Sequence, residues 1–296
     1  MYKILLPVDF TAGTEEACRY ALRLAAAQPQ ARLLLLHCHQ DYLSDADTDM
    51  PPPQEMTQSE RQTERVLHRN DTDAQMQLEE LYLQLLNEAG LEGSHVQVER
   101  ALVHGLPEEK IAEEAQRYNP DLVVMATRGE TSLARNIFGT VTTKMAQKLN
   151  VPLLTVPNTN TGQAGHNILY ATSFDQADKE AILYLIGTLA PFHPTLHCLH
   201  IATPADQKKA RQLLAQLKEK LQPNLAEQDV HFTLLEGDDV AETLQDYVQR
   251  ERIDLLALTT HKQGMLAGIL HPSLAEKLVL TAEVPLLIFH NNDTAT

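Results

Sequence analysis

The chain has 296 residues, a formal charge of −16, 43% hydrophobic residues and 22% charged residues. That length suits one large domain or two ordinary ones, and the composition is ordinary for a water-soluble globular protein. A surface this acidic repels polyphosphate backbones and anionic lipid, so neither nucleic acid nor membrane is an expected partner.

Apolar runs such as Leu33 to Leu36 fall far short of the ~20 residues that span a bilayer. Pro7 and Asp9 interrupt the opening apolar stretch, so no secretory leader is expected. The cysteines, Cys18, Cys38 and Cys198, make an odd count without metal-ligand spacing. A reduced cytoplasm is the simplest setting.

Short runs of Val, Ile and Leu alternate with helical patterns, which predicts a parallel sheet covered on both faces. Tyr2 to Val8 is the first expected strand. A helix over Thr14 to Ala27 follows, with Ala17, Ala21 and Leu24 on one face. Arg32 to Cys38 is the second strand. Asp41 to Gln58 is polar, contains Pro51, Pro52 and Pro53, and reads as a mobile insertion. Helical periodicity then runs to about Ala89, with Asn70 marking a candidate break. His95 to Leu102 is the third strand. A helix opens at Pro107 and stops at Asn119-Pro120. Leu122 to Ala126 is the fourth strand, Thr140 to Leu149 a helix, and Pro152 to Val156 the fifth strand.

Asn158 to Gly165 has the composition of a linker, and beyond it the order repeats. Ile168-Leu169 echoes Ile4-Leu5, and Leu199-His200 echoes Leu36-His37. A shift of 133 positions lays Asp121 to Pro157 over Asp254 to His290 without a gap, and ten of the 37 pairs are identical. They include Val-Pro-Leu-Leu at 151–154 and 284–287. A duplication explains this best. The repeated Val-Pro-Leu-Leu also predicts that the halves pack about a pseudo-twofold axis through their final strands, because an apolar edge strand needs cover.

After the strand ending at Ala126 come Thr127, Arg128 and Gly129, then nine residues, then Gly139, Thr140 and Val141 opening a helix. Glycines permit close backbone approach and tight turning. Free N–H groups at a helix start, with a Thr as cap, suit an anion. Two glycines beside a helix also suit a plain strand-to-helix loop.

Four separated motifs together resemble the universal stress protein family in its tandem form. They are Ile4 to Phe10, Leu35-Leu36-His37, Asp121 to Met125, and the glycine loop. The resemblance covers nearly the whole chain. It implies two flavodoxin- or Rossmann-like α/β units, each a five-stranded parallel sheet with helices on both faces. The units would be residues 1–157 and 167–296, joined by a linker at 158–166. Members that bind ATP carry Gly-x-x-Gly, nine residues, then Gly followed by Ser or Thr. Here the first glycine is Ala126, while Gly129, Gly139 and Thr140 match. The resemblance implies that Asp9 holds the ribose or adenine, helped by the backbone of Pro7 and Val8. Cys38 and Met125 would wall the adenosine. Gly129, Gly139, Thr140 and Val141 would contact the phosphates through backbone N–H groups and one hydroxyl, with Ala126 as the site residue at the place of the first glycine and Arg128 either adding charge or forming plain surface.

In the second repeat Ser173 replaces Asp9, Thr259 replaces Ala126, Lys262 replaces Gly129 and Pro272 replaces Gly139, while Ser273 keeps a hydroxyl at the Thr140 place. Proline has no N–H to offer a phosphate and lysine lacks glycine's freedom. Asp175 and Lys262 remain available for some other polar pocket.

The expectation is a cytoplasmic stress-response protein that binds one adenine nucleotide, ATP with or without magnesium, in its first repeat. The repeats would form an intramolecular pseudo-dimer, with a further homodimer left open. A slow ATP hydrolase or phosphotransferase is one alternative, and a scaffold without nucleotide binding is another. No catalytic residue is assigned, since no carboxylate, His or Lys is tied by motif to a γ-phosphate. No metal is expected. Asp45, Asp47 and Asp49 start like a calcium loop, but Met50 and Met56 stand where Gly and Glu belong. His37 and His39 share a strand face, yet His37 and His200 align between repeats as strand-end residues.

Overall fold

The computed structural model describes residues 1–39, 58–91, 95–127, 140–158, 165–225, 228–261 and 284–291. The first half forms β1 (Tyr2–Val8), α1 (Ala12–Ala26), β2 (Ala31–His39), α2 (Gln58–Leu91), β3 (Val96–His104), α3 (Pro107–Tyr118), β4 (Leu122–Ala126), α4 (Thr140–Lys148) and β5 (Leu153–Val156). The second forms β6 (Asn167–Ala171), α5 (Asp178–Leu189), β7 (Thr195–Ala202), α6 (Gln207–Leu221), β8 (Asp229–Glu236), α7 (Val240–Arg250), β9 (Leu255–His261) and β10 (Leu286–Asn291). Among the described residues no helix is long and apolar enough to cross a membrane.

The described strands make one sheet in the order β3-β2-β1-β4-β5-β10-β9-β6-β7-β8. Every neighbouring pair is parallel except β5 with β10. Leu154 there pairs with Leu287, its own duplicate, flanked by Thr155 with Leu286 and Leu153 with Ile288. A pseudo-twofold axis therefore passes through the Leu154–Leu287 pair, as the repeated Val-Pro-Leu-Leu predicts. Each five-stranded half is parallel, and the halves fuse into a single sheet.

The run Leu33 to Leu36 is buried at every position because helices cover both faces of β2. On one face Leu33 and Leu35 pack with Ala17, Ala21 and Leu24 of α1 and with Leu78, Leu81 and Leu85 of α2. On the other, Leu34 and Leu36 meet Ile111 of α3 and Met145 of α4. Both clusters continue into the second half, through Tyr170, Ile182 and Leu185 on the first face and Leu244, Tyr247 and Leu258 on the second. Polar contacts reinforce the junction. The hydroxyls of Tyr2 and Tyr184 lie 2.6 Å apart, Tyr184 donates to the Asp121 carbonyl at 3.0 Å, and Gln28 Nε2 donates to the Thr188 carbonyl at 2.9 Å.

Helix α3 starts on Pro107 and ends at Asn119, which turns left-handed at φ 48° and returns its N–H to the Ala115 carbonyl. That is the stop expected of an Asn before a proline. The break expected near Asn70 does not occur, because α2 is continuous from Gln58 to Leu91. Ala74, Leu78, Leu81, Leu85 and Ala89 bury one stripe of it, and that packing outweighs the weak helix preference of Asn70 and Asp71. Of the expected insertion only Gln58 is described, as the first residue of α2. Residues 40–57 lie outside the described residues.

Candidate functional site

In the first half the chain runs β1 to β2 to β3 in one direction, then crosses back to β4 and β5 on the other side of β1. The reversal lies between β1 and β4. Ligands of parallel α/β sheets sit beyond the strand ends at such a switch point. Asp9 follows β1 there, and Ala126 ends β4.

Asp9 is exposed, and its Oδ1 accepts three hydrogen bonds, from Thr11 N–H at 3.2 Å, Thr11 Oγ1 at 2.7 Å and Thr14 Oγ1 at 2.5 Å. The α1 start thus fixes the carboxylate through one oxygen and leaves the other for a donor such as a ribose hydroxyl. Between Asp9 and Thr11, Phe10 takes φ 60° and stacks on His37 with centroids 4.3 Å apart. His37 Nδ1 donates to the Val8 carbonyl at 2.9 Å. Burial lowers the His37 pKa, which keeps its ring neutral. The same device stands in the second repeat. Phe174 takes φ 63° and stacks on His200 at 4.2 Å, and His200 donates to the Thr172 carbonyl at 2.8 Å. His37 therefore supports the strand end, and the Val8 carbonyl is already engaged on one side.

The apolar wall falls on one face of the sheet. Met125 is buried in the cluster that faces α3 and α4, and Cys38 and Val141 pack against it. In register Pro7 pairs with Leu36, and Leu5 pairs with Val123. Continuing that register sets Met125 beside Pro7, so Pro7 lies between the Cys38 and Met125 strands. Burial pushes the Cys38 thiol up to about 12, so the thiol is uncharged near neutral pH.

Ala126, where the family pattern has glycine, belongs to the other face. A Cβ on Gly13 would collide with Asn158 Oδ1 and stand 3.3 Å from the Ala126 methyl. The methyl is therefore seated over Gly13 at the start of α1, turned away from Cys38, Met125 and Val141. Helix α4 begins at Thr140, and the N–H groups of its first turn have no acceptor within the helix. Arg128, Gly129, Gly139 and the Thr140 side chain lie outside the described residues, as do Lys262, Pro272 and Ser273.

Sequence reasoning missed Thr11, Thr14, Gly13 and Asn158. Thr11 and Thr14, two and five residues beyond Asp9, carried the available signal, because short hydroxyl side chains after a strand-end acid readily bond back to it. Gly13 and Asn158 are 145 residues apart in the chain, and no local pattern links them.

In the second repeat the polar groups turn inward. Asp178 is fully buried and accepts from Tyr170 Oη at 2.7 Å, Thr172 Oγ1 at 2.5 Å and Asp175 N–H at 3.1 Å. Tyr170 also bonds Thr259 Oγ1 at 2.7 Å. Burial raises the Asp178 pKa against the pull of these hydrogen bonds. Among the described residues no group of three or more His, Cys, Asp or Glu could hold a metal ion.

The model of the universal stress protein family matches residues 1–157 and again 165–290. The chain belongs to the universal stress protein family. It does so in tandem form, one match per repeat. Among solved structures, a universal stress protein from Archaeoglobus fulgidus DSM 4304 is 15% identical, with 97% of this chain and 98% of that one covered at TM-score 0.71. A protein of unknown function from Pseudomonas aeruginosa PAO1 is 18% identical, with 98% and 92% covered at TM-score 0.59. At these identities the likeness is one of fold. A universal stress protein in complex with cAMP matches 52% of this chain and 96% of its own, at 17% identity and TM-score 0.37. No curated protein matches the chain.

Proposed function

We propose that the first repeat binds one adenine nucleotide, ATP, and that the chain acts in the cytoplasm as a nucleotide-responsive member of its family. The working units are residues 1–157 and 167–296, with 158–166 between them. One observation carries the reading. Asp9 and the row Cys38, Pro7 and Met125 converge at the β1–β4 switch point, where α4 opens. Asp9 would take the ribose or adenine, and Cys38 and Met125 the faces of the adenosine. Gly129, Gly139, Thr140 and Val141 would take the phosphates on backbone N–H groups and one hydroxyl. Ala126 leaves this arrangement open because its methyl is seated on the opposite face.

The test is to denature protein purified without added nucleotide and identify any released small molecule by mass spectrometry, then titrate the emptied chain with ATP by calorimetry. A stoichiometric adenine nucleotide in the first step, or saturable binding in the second, is the expected result. Neither would refute the reading and favour a scaffold.

A further inference from the structure

A side chain ties helix α4 to the end of β4. Thr142, in the first turn of α4, is buried, and its Oγ1 donates to the Ala126 carbonyl at 3.1 Å. A buried hydroxyl has to find a partner, and a side chain wanted only for its volume would be Val. This hydroxyl joins residues 16 positions apart, at the two ends of the loop that contains Gly129 and Gly139. Met125, the buried wall residue, immediately precedes Ala126. The bond therefore fixes the first turn of α4, whose N–H groups have no acceptor within the helix, relative to the apolar wall. In the gapless alignment of the repeats the second copy has Ala275 at this place. Ala275 has no hydroxyl, and it occurs in the same repeat that has lost both loop glycines.

We propose that Thr142 is a positioning residue that sets the span between the adenosine wall and the phosphate-binding turn. The inference rests on the nucleotide reading of the first repeat. Thr142 touches no nucleotide; it acts through Ala126 and the start of α4. A misplaced turn would leave the adenosine contacts in place and misdirect the N–H groups toward the phosphates. The loss should therefore grow with the phosphates of the ligand.

The experiment is calorimetric titration of the full chain with ATP and, separately, with adenosine. It compares wild type, Thr142→Val and Thr142→Ser, with a thermal melt of each. Thr142→Val should weaken ATP about tenfold, the scale of one lost hydrogen bond. It should leave adenosine within about twofold. Thr142→Ser keeps the hydroxyl and should restore ATP binding. If Thr142→Val does not fold, Thr142→Ala takes its place. Equal losses for ATP and adenosine, undiminished ATP binding in a folded variant, or no rescue by Ser would each overturn the inference while leaving the nucleotide reading intact. A wild-type chain that takes neither ligand would overturn the nucleotide reading, and the inference with it.

Discussion

Thr14 and Asp178 occupy the same place in the two repeats, and there the acid and the hydroxyl have traded elements. In the first repeat the hydroxyl is on the helix, and Thr14 donates to Asp9 at the strand end at 2.5 Å. In the second the acid is on the helix, and Asp178 accepts from Thr172 at the strand end at 2.5 Å. Phe10 and Phe174, both left-handed, mark the shared frame. The exchange moves a carboxylate from an exposed strand end to a fully buried position.

Asp178 should accordingly matter for stability and not for ligand. Asp178→Ala takes the acceptor from the buried Thr172 hydroxyl and leaves Tyr170 with Thr259 as its partner, and a buried donor left unsatisfied costs about 1–3 kcal/mol. Asp178→Asn keeps an acceptor and carries no charge to desolvate, so it should cost less than Asp178→Ala. Urea unfolding measures both. Equal stability of Asp178→Ala and wild type would mean that the buried network contributes nothing.

Asp9 should behave in the opposite way. It is exposed, so Asp9→Ala removes little burial, yet it removes a carboxylate that stands at the switch point. A folded variant with strongly weakened ATP binding is expected in calorimetry, its melt lowered only by what the buried Thr14 hydroxyl loses with its acceptor. Full ATP affinity in Asp9→Ala would remove Asp9 from the site.

The fold was largely legible because its determinants are local. Buried strands show as continuous apolar runs, Pro107 and Asn119 punctuate α3, and a duplicated Val-Pro-Leu-Leu announces a self-matching seam. The continuity of α2 past Asn70 was not legible, since it depends on the sheet the helix covers. In the candidate site, Asp9, Cys38 and Met125 stand at positions of the family pattern. The direction of the Ala126 methyl was not, because it depends on Gly13 and Asn158, which only the fold brings together.

That direction gives a prediction. Ala126→Gly restores the family glycine and should leave nucleotide affinity nearly unchanged, because the methyl is on the α1 face. It should instead destabilise the chain by about 1 kcal/mol through lost burial and added backbone freedom. A clear gain in ATP affinity would show that the methyl does obstruct the site.

The pH dependence follows from three histidines. Burial is the leading cause that lowers the pKa of His37, His197 and His200. A group that holds its proton less tightly when folded supports the fold above its unfolded pKa, about 6.5, and withdraws that support as pH falls through the folded value. Asp178, raised, has the opposite sign, supporting the fold most at low pH and losing that support as pH rises through its folded value. The melting temperature should therefore fall as pH drops below about 6.5. His200→Gln, which can still donate to the Thr172 carbonyl, should make the fall shallower. An unchanged slope would remove His200 from the titration.

The remaining prediction is stoichiometry. One nucleotide per chain is expected, in the first repeat, because Asp9, Gly129, Gly139 and Thr140 occur together only there. The second repeat has Ser173 at the strand end and has moved its nearby acid into the interior as Asp178. Gly139→Pro copies Pro272. It removes a donor N–H and constrains the turn, each defect costing ~1–3 kcal/mol, or roughly tenfold to more than a hundredfold in affinity. The reverse change, Pro272→Gly, should create no site, because Ser173, Lys262 and Ala275 would still be in place. Calorimetry decides between these outcomes. Two equivalent sites, or undiminished binding in a folded Gly139→Pro chain, would mean that the glycine loop does not hold the phosphates.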